Sequence, residues 1–397
     1  MLARRMDLLG TESAFEVLAR ARALEAQGKQ MIHLEIGEPD FPTPSHIVQA
    51  AEEALQQGHT HYGPTQGDPE VRQRIAEHIS STRSVPVEGT QVVITPGAKP
   101  IMFYTILALV QRGDEVIYPN PGFPIYESMI RFSGARPVPM RLPEERSYHP
   151  DLEDLAGKIT PRTRLIILNS PHNPTGAVMD QWELQAIAKM VAGHPNLYIL
   201  SDEIYSEILY GGVHSSIAAL PGMAGRTIIL DGFSKTFAMT GWRLGYGVFP
   251  QELVPGIVRL AVNSVSCATT FVQRAALAAL NGPRRPLEEM VNELCQRRDL
   301  MVEGLRKIPG LSCPKPDGAF YVFPNIRGTG LTSRQFEDKA MTEAGVALLA
   351  GGAFGKYGEG YVRLSYANSQ ANIALALERL ETMVKRLPRR GNRAKVR

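Results

Sequence analysis

Lys235 stands in the string DGFSKTFAMTGWRLGYG, directly after the apolar run TIILD (227–231). An amine at the end of a buried strand is costly as a cation, so it has either a lowered pKa or a covalent partner, as in lysines that bond carbonyl compounds. Asp202 follows LYILS (197–201), and a carboxylate there needs a positive charge to face it, which a pyridinium nitrogen would supply. Taken alone, the couple reads more plainly as an ordinary Asp202–Lys235 ion pair. Tyr205 lies just beyond Asp202, Ser234 just before Lys235, and Asn173 follows LIILN (165–169) in NSPHNPTG. Gly97, Ala98 and Lys99, in TPGAKP, follow VVIT (92–95) and open the apolar run IMFYTILALV. A tight glycine turn at a helix N-terminus offers free N–H groups to an anion, with phosphate the natural guest. The turn is neither a Walker loop nor a GxGxxG fingerprint. Arg243, in MTGWRLGY, would add a cationic fork for the same phosphate.

Four strand ends thus deliver an amide, an acid, a phenol, an amine and a small-residue turn, and in an open α/β sheet ligands bind beyond those ends. The runs VVIT, EVIYP (115–119), LIILN, LYILS, TIILD and LGYGVF (244–249) lack clean alternation, which implies burial on both faces and helices on both sides. Residues 181–192 read as one such helix, with Asp180 and Glu183 as a capping-box start and Gly193 and Pro195 as a stop. From about residue 285 the pattern changes to a long amphipathic helix, followed by GAFYVF (318–323), GVALLA (345–350), YVRLSYA (361–367) and a helix near 370–387. A helix near 12–27 precedes everything. The expected architecture is α/β: a large domain over 42–284 with a mostly parallel seven-stranded-type sheet covered by helices. Residues 1–41 and 285–397 would form a smaller α+β domain with the N-terminal segment and a basic C-terminal tail.

The 397 residues carry 43 Lys plus Arg against 40 Asp plus Glu, so no strongly basic or acidic partner is written into the whole chain. Seven basic groups and no acid fall in 385–397 (Lys385, Arg386, Arg389, Arg390, Arg393, Lys395, Arg397) and read as a solvated terminus; the remainder is mildly acidic, which argues against nucleic acid. Three cysteines, Cys267, Cys295 and Cys313, form neither a zinc ribbon nor a disulfide framework and suit a reducing cytoplasm. His59 and His61 are the only closely spaced histidines, and no metal is expected. No stretch approaches the ~20 apolar residues of a membrane span, and no signal peptide opens the chain.

Seven motifs in one order, GEPDFPTP (37–44), YGPTQGDPEVR (62–72), NPGFPIY (120–126), NSPHNPTGAV (169–178), SDEIYSEILY (201–210), SKTFAMTGWRLGY (234–246) and VRLSYA (362–367), resemble the class I pyridoxal-5′-phosphate aminotransferases of fold type I, aspartate aminotransferase-like members included. The resemblance runs from about residue 10 to 387. It implies that Lys235 holds the cofactor and moves the substrate proton, and that Asp202 keeps the ring nitrogen protonated. It further implies that Tyr205 and Asn173 bond the ring's phenolic oxygen, with Phe123 stacked on its face. Gly97, Ala98, Lys99, Ser234 and Arg243 would hold the phosphate, with Tyr62 reaching it from the neighbouring subunit of a homodimer. Arg363 would clamp the substrate α-carboxylate beside Gly37 and Asn173.

Three positions depart from many relatives. Gly232 stands where a phosphate-binding serine is common, no arginine lies in 261–273 where a partner-subunit clamp for dicarboxylic substrates would be, and Lys99 replaces a small polar residue. Lys99 is then either the candidate contact for a distal carboxylate, in which case acidic donors would be favoured, or a side chain that points to solvent or helps only the phosphate. The expected activity is ping-pong transfer of the amino group from an L-amino acid to a 2-oxo acid. The alternative is a β-lyase acting on cysteine conjugates, which shares the same first proton abstraction. A cofactor-sensing regulator on this fold would need a DNA-binding domain, for which about 40 residues before the sheet leave no room.

Overall fold

The computed structural model describes residues 2–388, so Arg389, Arg390, Arg393, Lys395 and Arg397 of the basic tail lie outside the described residues. Twelve strands occur among the described residues: β1 (Ile32–His33), β2 (Val92–Thr95), β3 (Glu115–Asn120), β4 (Arg136–Arg141), β5 (Thr163–Asn169), β6 (Tyr198–Asp202), β7 (Thr227–Gly232), β8 (Gly245–Val248), β9 (Tyr321–Val322), β10 (Val346–Ala347), β11 (Leu349–Ala350) and β12 (Val362–Ser365). Seven of them make one sheet in the order β2-β8-β7-β6-β5-β3-β4. All its pairings are parallel except those of β8, which runs antiparallel to β2 and β7.

Burial on both faces explains why these strands read as unbroken apolar runs. Ile166 and Leu168 of β5 join one core cluster while Leu165 and Ile167 join the cluster on the other face. Each such side chain, fully enclosed, contributes about 1.5–3 kcal/mol. The helix Lys99–Leu109 covers one face with Ile101, Met102 and Ile106, and Gln181–Ala192 covers the other with Leu184, Ile187 and Val191. The second helix starts as expected, on an Asp180–Glu183 capping box.

β4 escaped the sequence reading. It is one of the two edge strands, largely part-exposed, and carries Pro137 and Pro139, which cannot donate to a ladder and are tolerated only at an edge. The later strands are shorter than their apolar runs: GVALLA divides at Leu348 into β10, which pairs with β1, and β11, which pairs with β12. Ile32 and Leu34 share a core cluster with Leu294, Met301, Leu305, Ile373 and Leu380 of the two long helices Arg285–Lys307 and Gln370–Lys385. In the described part of the basic tail, Lys385 pairs with Glu381 at 2.8 Å.

The reversal of β8 brings its first residue, not its last, to the C-terminal edge of the parallel strands. Gly245 pairs there with Thr95 on one side and Gly232 on the other. A Cβ at Gly245 would stand 2.4 Å from the amide nitrogen of Ala98. Gly245→Ala should therefore cost about 1–3 kcal/mol by overpacking, seen as a lower urea midpoint with an unchanged slope.

Candidate active site

The strand ends open into a cavity of about 540 Å³, a size suited to a small-molecule ligand. Asn169 ends β5 and Asp202 ends β6, directly paired in register. Beyond β7, the four-residue helix Phe233–Thr236 turns Ser234 and Lys235 onto the cavity wall. Asn173, Tyr205, Ala98, Lys99, Phe123, Gly37, Arg243 and Arg363 line it too, so nearly all the residues singled out from the sequence meet in one place.

Asp202 is buried, yet no cation pairs with it among the described residues. Its carboxylate accepts from the Tyr126 phenol and, at 3.3 Å, from the Ile204 amide. Burial pushes its pKa from 3.8 up to about 6, against the opposing pull of the Tyr126 bond. Lys235 is not its partner: the amine donates to the Gly37 carbonyl at 2.5 Å, and desolvation lowers its pKa to about 8. The ordinary Asp202–Lys235 ion pair is thus absent. An uncompensated acid and a readily deprotonated amine face one cavity, which fits a guest carrying a protonated ring nitrogen and a carbonyl carbon.

Arg363, on β12, is also buried without an acidic partner among the described residues. Its Nη1 donates to Asn173 Oδ1 at 3.1 Å and its Nη2 to the Glu35 carbonyl, while Nε has no partner. A buried guanidinium with a free donor fits a carboxylate guest. Tyr321 packs beneath it, 4.6 Å from the guanidinium carbon to the ring centroid, and its hydroxyl lies 2.7 Å from that of Tyr205. That hydroxyl sits where any Cβ at residue 37 would fall, 2.1 Å away, so Gly37 is required by the close approach. Burial holds the Tyr205 phenol well above its ordinary pKa, so it serves as a neutral hydrogen-bonding group.

At the other end, the helix Lys99–Leu109 begins with no side-chain cap, leaving N–H groups of its first turn for an anion. Gly97 has φ +79°, and a Cβ there would stand 2.2 Å from Arg243 Nη2. Arg243 itself is held at φ +52°, an uncommon and strained conformation for a non-glycine residue, and donates to the Thr240 carbonyl at 2.8 Å. A guanidinium stacked on a glycine turn at a helix start offers donors that would suit an anion such as phosphate.

Lys99 and Tyr62 sit differently from the rest. Lys99 reaches the cavity, but its amine is 2.8 Å from Glu12 Oε2. Tyr62 is 91% exposed and does not line the cavity. Tyr126 belongs to the motif NPGFPIY and Tyr321 to the run GAFYVF, but their bonds to Asp202 and Tyr205 cross 76 and 116 residues. Asn169 and Glu12 were missed as well; Asn169 ties the strand end to its loop through the Asn173 amide at 2.9 Å and the Asp202 carbonyl at 3.0 Å. Away from the site, folding brings His149, Asp180 and Glu183 within 4.8 Å, a juxtaposition invisible in their spacing. These groups are already engaged in the helix cap and the 2.8 Å His149–Glu183 bond.

Residues 29–380 match the family model for aminotransferase class I and II. The chain belongs to that family. It is similar to an aspartate aminotransferase of Pyrococcus abyssi, 40% identical and covering 96% of this chain and 97% of the relative. An arginine–pyruvate transaminase of Pseudomonas aeruginosa is 42% identical over 89% of each chain. The solved structure of an aromatic aminotransferase from Pyrococcus horikoshii matches with a TM-score of 0.87 at 42% identity, covering 93% of this chain and 98% of that one. All three carry out amino transfer by name, which favours that reaction over the β-lyase alternative. This aminotransferase uses pyridoxal 5′-phosphate and acts on amino acids and 2-oxo acids.

The unmatched charge of Asp202 has a measurable consequence. The folded enzyme without cofactor holds the Asp202 proton more tightly than the unfolded chain does, so this side chain favours folding below about pH 4 and loses that contribution as pH rises through about 6. Above that range the burden is on the order of 3 kcal/mol. Asp202→Asn should stabilise the cofactor-free protein by an amount of that order at pH 8 and hardly at all at pH 4, by urea titration. Equal stability at pH 8 would mean that a cation faces the carboxylate.

Proposed function

We propose that Lys235, Asp202, Tyr205, Asn173 and Arg363 carry the amino transfer, with the turn Gly97–Lys99, Ser234 and Arg243 as the phosphate site. The observation that carries this reading is the buried Asp202 carboxylate without a cation, facing the same cavity as the Lys235 amine. Bound there, pyridoxal 5′-phosphate supplies an electron sink for the carbanion left when the substrate Cα loses its proton. Lys235 would hold the cofactor through its amine and afterwards take the proton from the substrate Cα; its pKa of about 8 leaves a useful neutral fraction near neutrality. Asp202 would keep the ring nitrogen protonated, with Tyr126 fixing the carboxylate. Tyr205 and Asn173 would hydrogen-bond the ring's phenolic oxygen, and Phe123 would cover the ring face. Arg363 would bind the substrate α-carboxylate through its free Nε, beside the Gly37 backbone.

The relatives' names span acidic, aromatic and guanidinium donors, so the family does not dictate the side chain accepted. Lys99 at the cavity mouth supports a preference for acidic donors, whose distal carboxylate it would meet. The division into a large unit, 42–284, and a smaller one, 1–41 with 285–397, is supported by the shared packing of Ile32 and Leu34 with the two long helices. A cytoplasmic location is supported by three free cysteines. Among the described residues no helix is long and apolar enough to cross a membrane.

Lys235→Ala should lose the visible absorbance of bound cofactor and turnover by orders of magnitude in a coupled assay with an amino donor and 2-oxoglutarate. Turnover retained with added pyridoxal 5′-phosphate would reject its role.

A homodimer with shared sites is supported by Tyr62, exposed although the backbone around it is anchored: Thr270 Oγ1 donates to the His59 carbonyl at 2.7 Å. Mixing and reassociating Tyr62→Ala and Lys235→Ala chains should then create one intact site in each mixed dimer, restoring about one quarter of wild-type activity at limiting cofactor for random twofold pairing. No recovery beyond the two separate variants would mean that Tyr62 serves its own chain or none.

A further inference from the structure

Lys99 and Glu12 meet across the mouth of the cavity from elements 87 residues apart, with Nζ 2.8 Å from Oε2. The ammonium also lies 5.5 Å from the centroid of the Phe123 ring, which ties this pair to the face where the cofactor ring would stack. Glu12 immediately precedes the helix Ser13–Glu25, the position from which a side chain often caps, but it makes no cap hydrogen bond. The side chain of Lys99 is 46% exposed, and a pair this open to water contributes little to stability. Neither the helix nor the fold therefore accounts for the carboxylate. Its field does reach the cavity: it acts on Lys235, Arg363 and Tyr321. Glu12 is also the more enclosed partner, at 16% exposure.

We propose that Glu12 is a specificity-determining residue, an internal carboxylate occupying on Lys99 the place that the distal carboxylate of an acidic substrate would take. A dicarboxylic donor must displace Glu12 to reach Lys99. A neutral donor meets a wall whose charges are already matched, and a donor with a cationic side chain adds a second cation to the same carboxylate. Glu12 thereby flattens the preference for acidic donors that Lys99 alone would impose. This rests on the assignment of Lys99 to the distal carboxylate and of Arg363 to the α-carboxylate.

The test uses the full-length holoenzyme as wild type, Glu12→Gln, Lys99→Ala and the double variant. Succinate, a dicarboxylate without an amino group, and butyrate are titrated as competitive ligands by cofactor absorbance, beside kcat/KM for aspartate, glutamate, phenylalanine and arginine. Glu12→Gln should tighten succinate relative to butyrate by about two- to five-fold, the range for an exposed ion pair, and raise the acidic-to-neutral ratio of kcat/KM by a similar factor, mainly through KM. That gain should vanish when Lys99 is alanine. An unchanged succinate-to-butyrate ratio in Glu12→Gln, with Lys99→Ala still selectively weakening succinate, would overturn the role of Glu12 and leave Lys99 standing. A gain that persists without Lys99 would overturn competition in favour of a general field effect. Equal weakening of both ligands by Lys99→Ala would instead overturn the Lys99 assignment, and the proposal with it.

Discussion

A carboxylate at the end of a buried strand with no cation against it is the constraint on which the site is organised. Among the described residues Asp202 has only the Tyr126 phenol and the Ile204 amide as donors, and because desolvation of a charged group is costly, a cationic guest would relieve it. The same incompleteness recurs at Arg363, whose Nε is buried and free. The cavity is thereby polar in a defined sense: a positive group would be matched beside Asp202, a carboxylate beside Arg363, and an electrophilic carbon near Lys235. Pyridoxal 5′-phosphate and an amino acid together would meet all three.

The neighbour of Asp202 in the chain makes the contrast. Glu203 points to the other side of β6 and is fully matched: Arg83 Nε lies 3.1 Å from it, His214 Nε2 3.0 Å, and the hydroxyls of Ser201 and Ser216 donate to it. Its pKa falls to about 2 although it is as deeply buried as Asp202. Arg83 also pairs with Asp231, on β7 just before the segment that carries Lys235. One side of the two strands is thus clamped by paired charges, although burial still holds the Asp231 carboxyl up at about 6 despite Arg83, and the other presents a carboxylate with no paired cation. Removing one partner from the clamped side would strand a buried charge, the costly case for such networks, so the clamp fixes the strand ends that carry Asp202 and Lys235.

What was legible in the sequence follows from which contacts are local. Lys235, Asp202 and Asn173 were readable because a doubly buried strand leaves an apolar run, and the polar residues after it must sit at the sheet edge. Tyr126, Tyr321 and Glu12 act through partners many tens of residues away, and nothing in their own neighbourhood says that they do. The direction of β8 was equally hidden, since an apolar run has no arrow. Arg243 precedes that run, so in a parallel strand it would lie at the wrong edge; the antiparallel pairing of Gly245 with Thr95 and Gly232 brings it to the turn at Gly97.

The glycines at this point also fix what a side chain at 232 would meet. A Cβ on Gly232 would lie 2.9 Å from the Gly245 Cα, one on Gly245 would lie 2.5 Å from the Gly97 carbonyl carbon, and one on Gly97 would strike the Arg243 guanidinium. Three backbones and a guanidinium are stacked with no side chain between them. A serine at 232 would force β7 and β8 apart and, through Gly245, move the turn that offers its amides. Close stacking of backbone and guanidinium leaves no room for a hydroxyl at 232, and Ser234, two residues further on, is a hydroxyl of this segment on the cavity wall.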